Sequence, residues 1–238
     1  MTTILWLPGW SFDEKVFSRF YGAFDSDFRH LHVNWQGLEN KEDIKNRVHA
    51  VMDQADGDKL FAVGWSLGAM AALELALGNQ SKLKGLALIS PTASFVKREN
   101  YDFGWDKRVV QRMQKQLHKD KQKVLTDFAG SLLNTEEGVI ADLKQNIPDD
   151  SATSLAAGLD YLTETDLRSQ IVNLKIPTII FHGREDLICP PAASQFIKDE
   201  AGGYVRRIVM ENIGHIPFMT EKQSVEIELA LCFKELAE

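Results

Sequence analysis

"AVGWSLGAMAA", residues 62–72, sets a serine between two glycines in Gly64-Trp65-Ser66-Leu67-Gly68. The apolar run Leu60-Phe61-Ala62-Val63 precedes it, and an alanine-rich stretch from Ala69 to Leu77 follows. The first reads as a buried strand, the second as a helix closed by Gly78 at its C′ position. Serine adds little to a core, and glycine weakens strands and helices alike. A turn from strand to helix built this way specifies something other than packing. The plainer alternative is a glycine-flanked turn whose serine caps the helix.

Outward from that turn the chain alternates. Short apolar runs at Ile4–Leu7, Leu31–Val33, Leu60–Val63, Leu83–Ile89, Thr178–Phe181 and Arg207–Met210 read as buried strands. Helical patterns lie between or after them at Glu42–Ala55, Ser66–Leu77 and Val225–Leu236. Alternation of this kind predicts an α/β domain with a mostly parallel sheet and helices on both faces. One region departs from it. From about Phe95 to Leu174 the pattern is helical throughout, with Val109, Val110, Met113 and Leu117 at helical spacing, then Leu125, Phe128, Ala129 and Leu132. We expect residues 1–94 and 175–238 to form the core, and 95–174 a helical cap over the C-terminal edge of the sheet, where ligands bind in open α/β sheets.

Composition excludes several classes of function. With 238 residues, 44% of them hydrophobic and 26% charged, the chain can bury a substantial core. A net charge of −7 predicts no bulk attraction to nucleic acid or to anionic membranes. The first residues, Met1 to Pro8, lack a basic region and a long apolar run, and no stretch approaches transmembrane length, so a cytoplasmic protein is expected. Cys189 and Cys232 have no metal-ligand spacing and form no disulfide framework. They read as reduced thiols, and no metal or cofactor is implied.

Gly-x-Ser-x-Gly on a strand-to-helix turn is the nucleophile elbow of α/β-hydrolases, which lifts the hydroxyl above the sheet at a helix N-terminus. A serine needs a base to take its proton and an acid to orient that base. In this fold the acid follows the serine and the histidine comes last. His30, His32, His49 and His118 lie too early or in helical patterns, and His182 ends a strand, where a structural role fits better. His215, in the loop "NIGHIPFMTE" after the last strand, is the expected base. For the acid, "FHGREDLICP" fits Gly-x-x-Asp-x-x-x-Pro through Gly183, Asp186 and Pro190, leaving Glu185 as a solvated neighbour. Ser66, Asp186 and His215 are thus the expected triad. The oxyanion needs backbone donors, and the N–H of Leu67 and that of Trp10, beside Gly9 in "LWLPGWSFDEKVF", are the candidates.

Together, "LPGWSFDEKVF", "VGWSLGAMAALELA", "FHGREDLICPP" and "IGHIPF" resemble the pimeloyl-[acyl-carrier protein] methyl ester esterases of biotin synthesis. The likeness runs over nearly the whole chain. It implies an α/β-hydrolase fold and a cofactor-free serine carboxylesterase. Such an enzyme releases methanol from the far end of a pimeloyl chain still attached to its carrier protein. By position, the family's substrate contacts fall on Trp10, Ser66, Leu67, His215 and the cap segment Phe128, Ala129, Gly130, Ser131 and Leu132. Where the family often has His-Gly-Trp, this chain has Pro8-Gly9-Trp10. Two other readings stay open: a small-molecule carboxylesterase or lactonase on the same scaffold, and a non-catalytic binding protein.

The cap carries a charge asymmetry visible without the family. Between Asp106 and Leu125 seven basic residues (Lys107, Arg108, Arg112, Lys115, Lys119, Lys121 and Lys123) stand against Asp106 and Asp120, a local charge of +5. A solvated helix face would look the same. Over an active site, the run would also steer an acidic acyl carrier protein. Lys115, Lys119, Lys121 and Lys123 are the expected carrier-protein contacts, with Arg108 and Arg112 as additions, and the esterase is expected to act as a monomer.

Overall fold

The computed structural model describes residues 2–24, 28–55, 59–132, 139 and 143–237. Six strands, β1 (Thr2–Leu7), β2 (Phe28–His32), β3 (Lys59–Trp65), β4 (Leu83–Ile89), β5 (Thr178–Gly183) and β6 (Val205–Met210), form one sheet. Their order is β2-β1-β3-β4-β5-β6, and every pair is parallel. Helices follow as α1 (Glu42–Met52), α2 (Leu67–Gly78), α3 (Lys107–Leu117), α4 (Lys121–Ser131), α5 (Ala152–Glu164), α6 (Pro191–Glu200), α7 (Pro217–Thr220) and α8 (Lys222–Ala237).

The central strands are apolar almost without interruption because both faces are covered. Alternation along β3 shows how. Phe61 stacks on Phe233 of α8 with ring centres 4.5 Å apart, and Trp65 meets Phe218 of α7 edge-on at 5.1 Å. Trp6 of β1 pairs with Val63, on this same face, and packs on Phe17 and Phe20 of a 3₁₀ helix, Glu14–Ala23. Gly64 points the other way, onto the first turn of α2. That helix is apolar nearly all round, as a helix sandwiched in a core must be.

Two elbow glycines are required by space. A Cβ on Gly64 would lie 2.2 Å from the Gly68 carbonyl oxygen, and one on Gly68 would lie 2.0 Å from that of Leu7. The first turn of α2 thus rests directly on the backbone ends of β1 and β3. Gly68→Ala is expected to cost at least about 3 kcal/mol of folding stability, because backbone cannot swing aside. Thermal unfolding should show it as a fall in Tm of roughly 6–12 °C.

The sequence reading differs from the structure in four places. Residues 94–105 are not helical: they form isolated bridges, Ser94 with Asp166, Val96 with Trp105 and Arg98 with Tyr101, and helix begins at Lys107. Asn100, with φ at 58°, turns the chain there, and Gly104 packs against the backbone of Val96 too closely for a side chain. The 3₁₀ helix Glu14–Ala23 and α6 have no counterpart in the predicted elements; α6 opens on Pro191. The first helix stops at Met52 and tightens into a 3₁₀ turn over Asp53–Ala55. Among the described residues no helix is long and apolar enough to cross a membrane.

Candidate active site

Four loops at the C-terminal ends of β1, β3, β5 and β6 bring the expected residues to one edge of the sheet. Ser66 follows β3 with φ 56° and ψ −115°, a strained left-handed conformation for a non-glycine residue. Its N–H donates to the Ile89 carbonyl at 3.0 Å, and its own carbonyl accepts from Met70 in α2. Its side chain makes no capping hydrogen bond to the helix. The glycine-flanked cap of the plainer reading is therefore absent.

Asp186 and His215 meet. Nδ1 of His215 donates to Asp186 Oδ2 at 2.7 Å, both side chains being buried. The carboxylate can only accept, so Nδ1 carries a proton, and in the neutral ring Nε2 presents the lone pair. Nε2 has no hydrogen-bond partner among the described residues. Asp186 Oδ1 accepts the amides of Ile188 and Cys189, both at 2.9 Å. Burial alone would raise the pKa of this carboxyl. The charge of His215 and the hydrogen bonds from the two nearby histidines outweigh it and hold the group well below the usual carboxylate range. Glu185 stays exposed, its amide on the Ile213 carbonyl.

The histidine backbone is clamped as well. Its carbonyl accepts Trp65 Nε1 and Ser90 Oγ, each at 3.0 Å, and its N–H donates to the Leu132 carbonyl at the end of α4 at 3.2 Å. Trp65, the residue before Ser66, thereby ties the elbow to the loop that holds His215. Sequence reading singled out neither Trp65 nor Ser90 for this task. Their signal was faint: a large aromatic inside the elbow motif and a serine just past β4.

Among the described residues no acceptor faces the N–H of Trp10 or of Leu67. The Trp10 indole donates to the Leu155 carbonyl of α5 at 2.8 Å and lies edge-on to Phe128 of α4, ring centres 4.9 Å apart. Gly158 is small because a Cβ there would press on the same indole at 2.8 Å. Trp10 thus joins the oxyanion loop to two helices of the inserted segment. Of the five cap positions, Ala129 and Leu132 are buried and Phe128 half-buried, whereas Gly130 and Ser131 face solvent. A cavity of about 20 Å³ lies beside Trp10, Ser11, Leu67, Leu155 and Gly158. It has room for about one water molecule.

The basic run divides. Lys121 reaches Asp149 Oδ1 and the Asp150 carbonyl, both at 2.7 Å, and Lys123 pairs with Asp127 at 2.9 Å. Asp106 and Asp120 cap α3 and α4 through the amides of Arg108 and Lys123. Arg108, Arg112, Lys115 and Lys119 are exposed and have no ion-pair partner among the described residues. Arg108, Arg112 and Lys115, spaced four and three apart, form one stripe opposite the face that buries Val110 and Leu117, and Lys119 follows in the turn after α3. Both cysteines are free, and no group of three potential metal ligands is found among the described residues.

The chain is similar to known proteins over most of its length. A family model described as alpha/beta hydrolase fold matches residues 18–222. A pimeloyl-[acyl-carrier protein] methyl ester esterase of Nitrosomonas europaea is 26% identical over 229 residues, covering 91% of this chain and 90% of that protein. The protein of the same name from Nitrosospira multiformis is 30% identical over 167 residues, covering 66% of this chain and 62% of that one. Among solved structures, an esterase from Exiguobacterium antarcticum superposes with a TM-score of 0.89 at 20% identity, covering 98% of this chain and 92% of that one.

Proposed function

The chain belongs to the α/β-hydrolase fold family and is an ester hydrolase, and we propose that it cleaves the methyl ester at the far end of a pimeloyl chain held on an acyl carrier protein. The observation that carries the chemistry is the His215–Asp186 pair, which leaves Nε2 of His215 as a free base at the sheet edge where Ser66 stands. In this reading Ser66 Oγ attacks the ester carbonyl while Nε2 takes its proton. The N–H groups of Trp10 and Leu67 receive the oxyanion. The tetrahedral adduct then collapses: the carbon–methoxy bond breaks and Nε2 returns the proton to methanol. Water, deprotonated by the same nitrogen, frees the carboxylate and restores Ser66. No cofactor takes part.

Ser66 is 7% exposed and His215 1%, and the adjoining cavity is too small for a seven-carbon acyl chain. Entry of the substrate therefore requires the lining of that cavity, Leu155 among it, to give way, and residues 95–174 take the part of a cap in this reading. Pro148 lines both the small cavity and a groove of about 320 Å³ between Lys121, Leu125, Lys144 and Ile147, and in this reading the acyl arm passes by that side.

For the carrier, Arg108, Arg112, Lys115 and Lys119, which have no ion-pair partner among the described residues, form the better docking face, since Lys121 and Lys123 already spend their charge on neighbouring acids. Reversing Arg112, Lys115 and Lys119 to glutamate is expected to lower kcat/KM for the carrier-bound ester about tenfold or more and to flatten its salt dependence. A free p-nitrophenyl ester should be hydrolysed at the unaltered rate. Equal loss on both substrates, or on neither, would return the stripe to a plain solvated face. The substrate itself is tested by methanol release from methyl-pimeloyl carrier protein against free dimethyl pimelate and a lactone, and by rescue of a biotin auxotroph lacking the esterase. Preference for the free ester or the lactone would establish a small-molecule carboxylesterase or lactonase instead.

A further inference from the structure

His182 is the penultimate residue of β5 and is fully buried, yet nothing in the proposed reaction uses it. Its Nε2 lies 2.6 Å from the Cys189 carbonyl oxygen and 3.2 Å from Asp186 Oδ2. Both neighbours are acceptors, so Nε2 carries the ring proton, pointing at the carbonyl with the carboxylate as a longer second acceptor. Nδ1 is then a buried nitrogen without a partner among the described residues. A phenyl ring would fill the same space and spare that orphaned nitrogen, but it would leave the Cys189 carbonyl without its donor. An imidazole kept at that cost points to work done by Nε2.

We propose that His182 is a positioning residue for the triad carboxylate: from the end of β5 its Nε2–H anchors the loop 186–189 and steadies Asp186 Oδ2 for His215. The proposal deepens the esterase reading and rests on its assignment of Ser66, Asp186 and His215. The contacts close a ring. His182 holds the Cys189 carbonyl, while the Cys189 amide, with that of Ile188, holds Asp186 Oδ1. Oδ2 is left between two imidazoles, His215 at 2.7 Å and His182 at 3.2 Å. A carboxylate gripped on both oxygens cannot rotate away from the base, and small misplacements of catalytic groups are expensive in rate. The other titratable group at this spot, the Cys189 thiol, is pushed up by burial and stays protonated. Asp186 is therefore the charge that His182 faces.

His182→Phe removes the donor and keeps the bulk, and His182→Gln keeps a donor on a flexible arm. With p-nitrophenyl butyrate, His182→Phe should lower kcat about 10- to 100-fold with KM nearly unchanged. The acid limb of the kcat/KM–pH profile should move, because the carboxylate facing the base has lost one donor. The low-field proton resonance of the His215–Asp186 hydrogen bond should broaden or shift, and His182→Gln should recover part of both rate and profile. Loss of rate in proportion to loss of folded protein, with the acid limb and the resonance unmoved, would reduce His182 to packing. If His182→Phe does not fold, ¹⁵N shifts of histidine-labelled wild-type protein decide the matter. A proton on Nδ1 of His182 would overturn the proposal, and one on Nε2 would support it. Ser66→Ala run alongside separates the two levels: if it stays active, the underlying triad fails, whereas silent His182 variants beside an inactive Ser66→Ala overturn this inference alone.

Discussion

Ser66→Ala is expected to reduce ester hydrolysis by about 10⁴- to 10⁶-fold while the protein remains folded. Both halves of that expectation come from the elbow. The hydroxyl caps no helix, and the residue's backbone bonds, from its N–H to Ile89 and to its carbonyl from Met70, survive the change. Alanine meets the same left-handed strain at φ 56° as serine does. A Tm close to that of the parent, with turnover of p-nitrophenyl butyrate near background, is the result to look for. Activity within tenfold of the parent would remove Ser66 from the role of nucleophile.

Asp186→Asn should be nearly as damaging, about 10⁴-fold in kcat, whereas Glu185→Gln should change little. The reason is a conflict of donors. Oδ1 of Asp186 accepts two amides and Oδ2 accepts the His215 ring proton, so all three partners donate. An asparagine can keep its oxygen on the loop amides only by turning its NH₂ toward His215. That contact selects the tautomer with its proton on Nε2, which is no base. Glu185, exposed one residue away, takes part in none of this. The opposite ranking of the two variants would move the acid by one residue. Stability should carry a pH limb of its own. The Asp186 carboxyl is held below its unfolded value of 3.8, so below about pH 4 the unfolded chain binds the extra proton and native stability declines. Asp186→Asn should lose that limb.

Much of this was legible in the chain because it is written locally. Apolar runs of strand length, a serine between glycines and a Gly-x-x-Asp-x-x-x-Pro segment are properties of a few neighbouring residues, set by sterics and periodicity. Their order along the chain was enough to select Ser66, Asp186 and His215 as candidates. Residues 94–105 escaped because short bridges closed around Asn100 and Gly104 leave no periodic signal.

The remaining facts depend on partners far away in the chain. Trp65 reaches the His215 carbonyl across 150 positions, Ser90 across 125, and the Trp10 indole finds Leu155 across 145. Lys115 and Lys121 look alike in the run of lysines, yet Lys121 is drawn to Asp149, and Lys115 is left to solvent. His182 reads as one more buried strand residue until the loop folds back and sets Cys189 and Asp186 against its Nε2. Such pairings follow from strand order, register and the way the inserted helices settle on the sheet. Those are set by the packing of the whole core, because burial rewards total fit, and a local stretch carries no record of which distant surface it will meet.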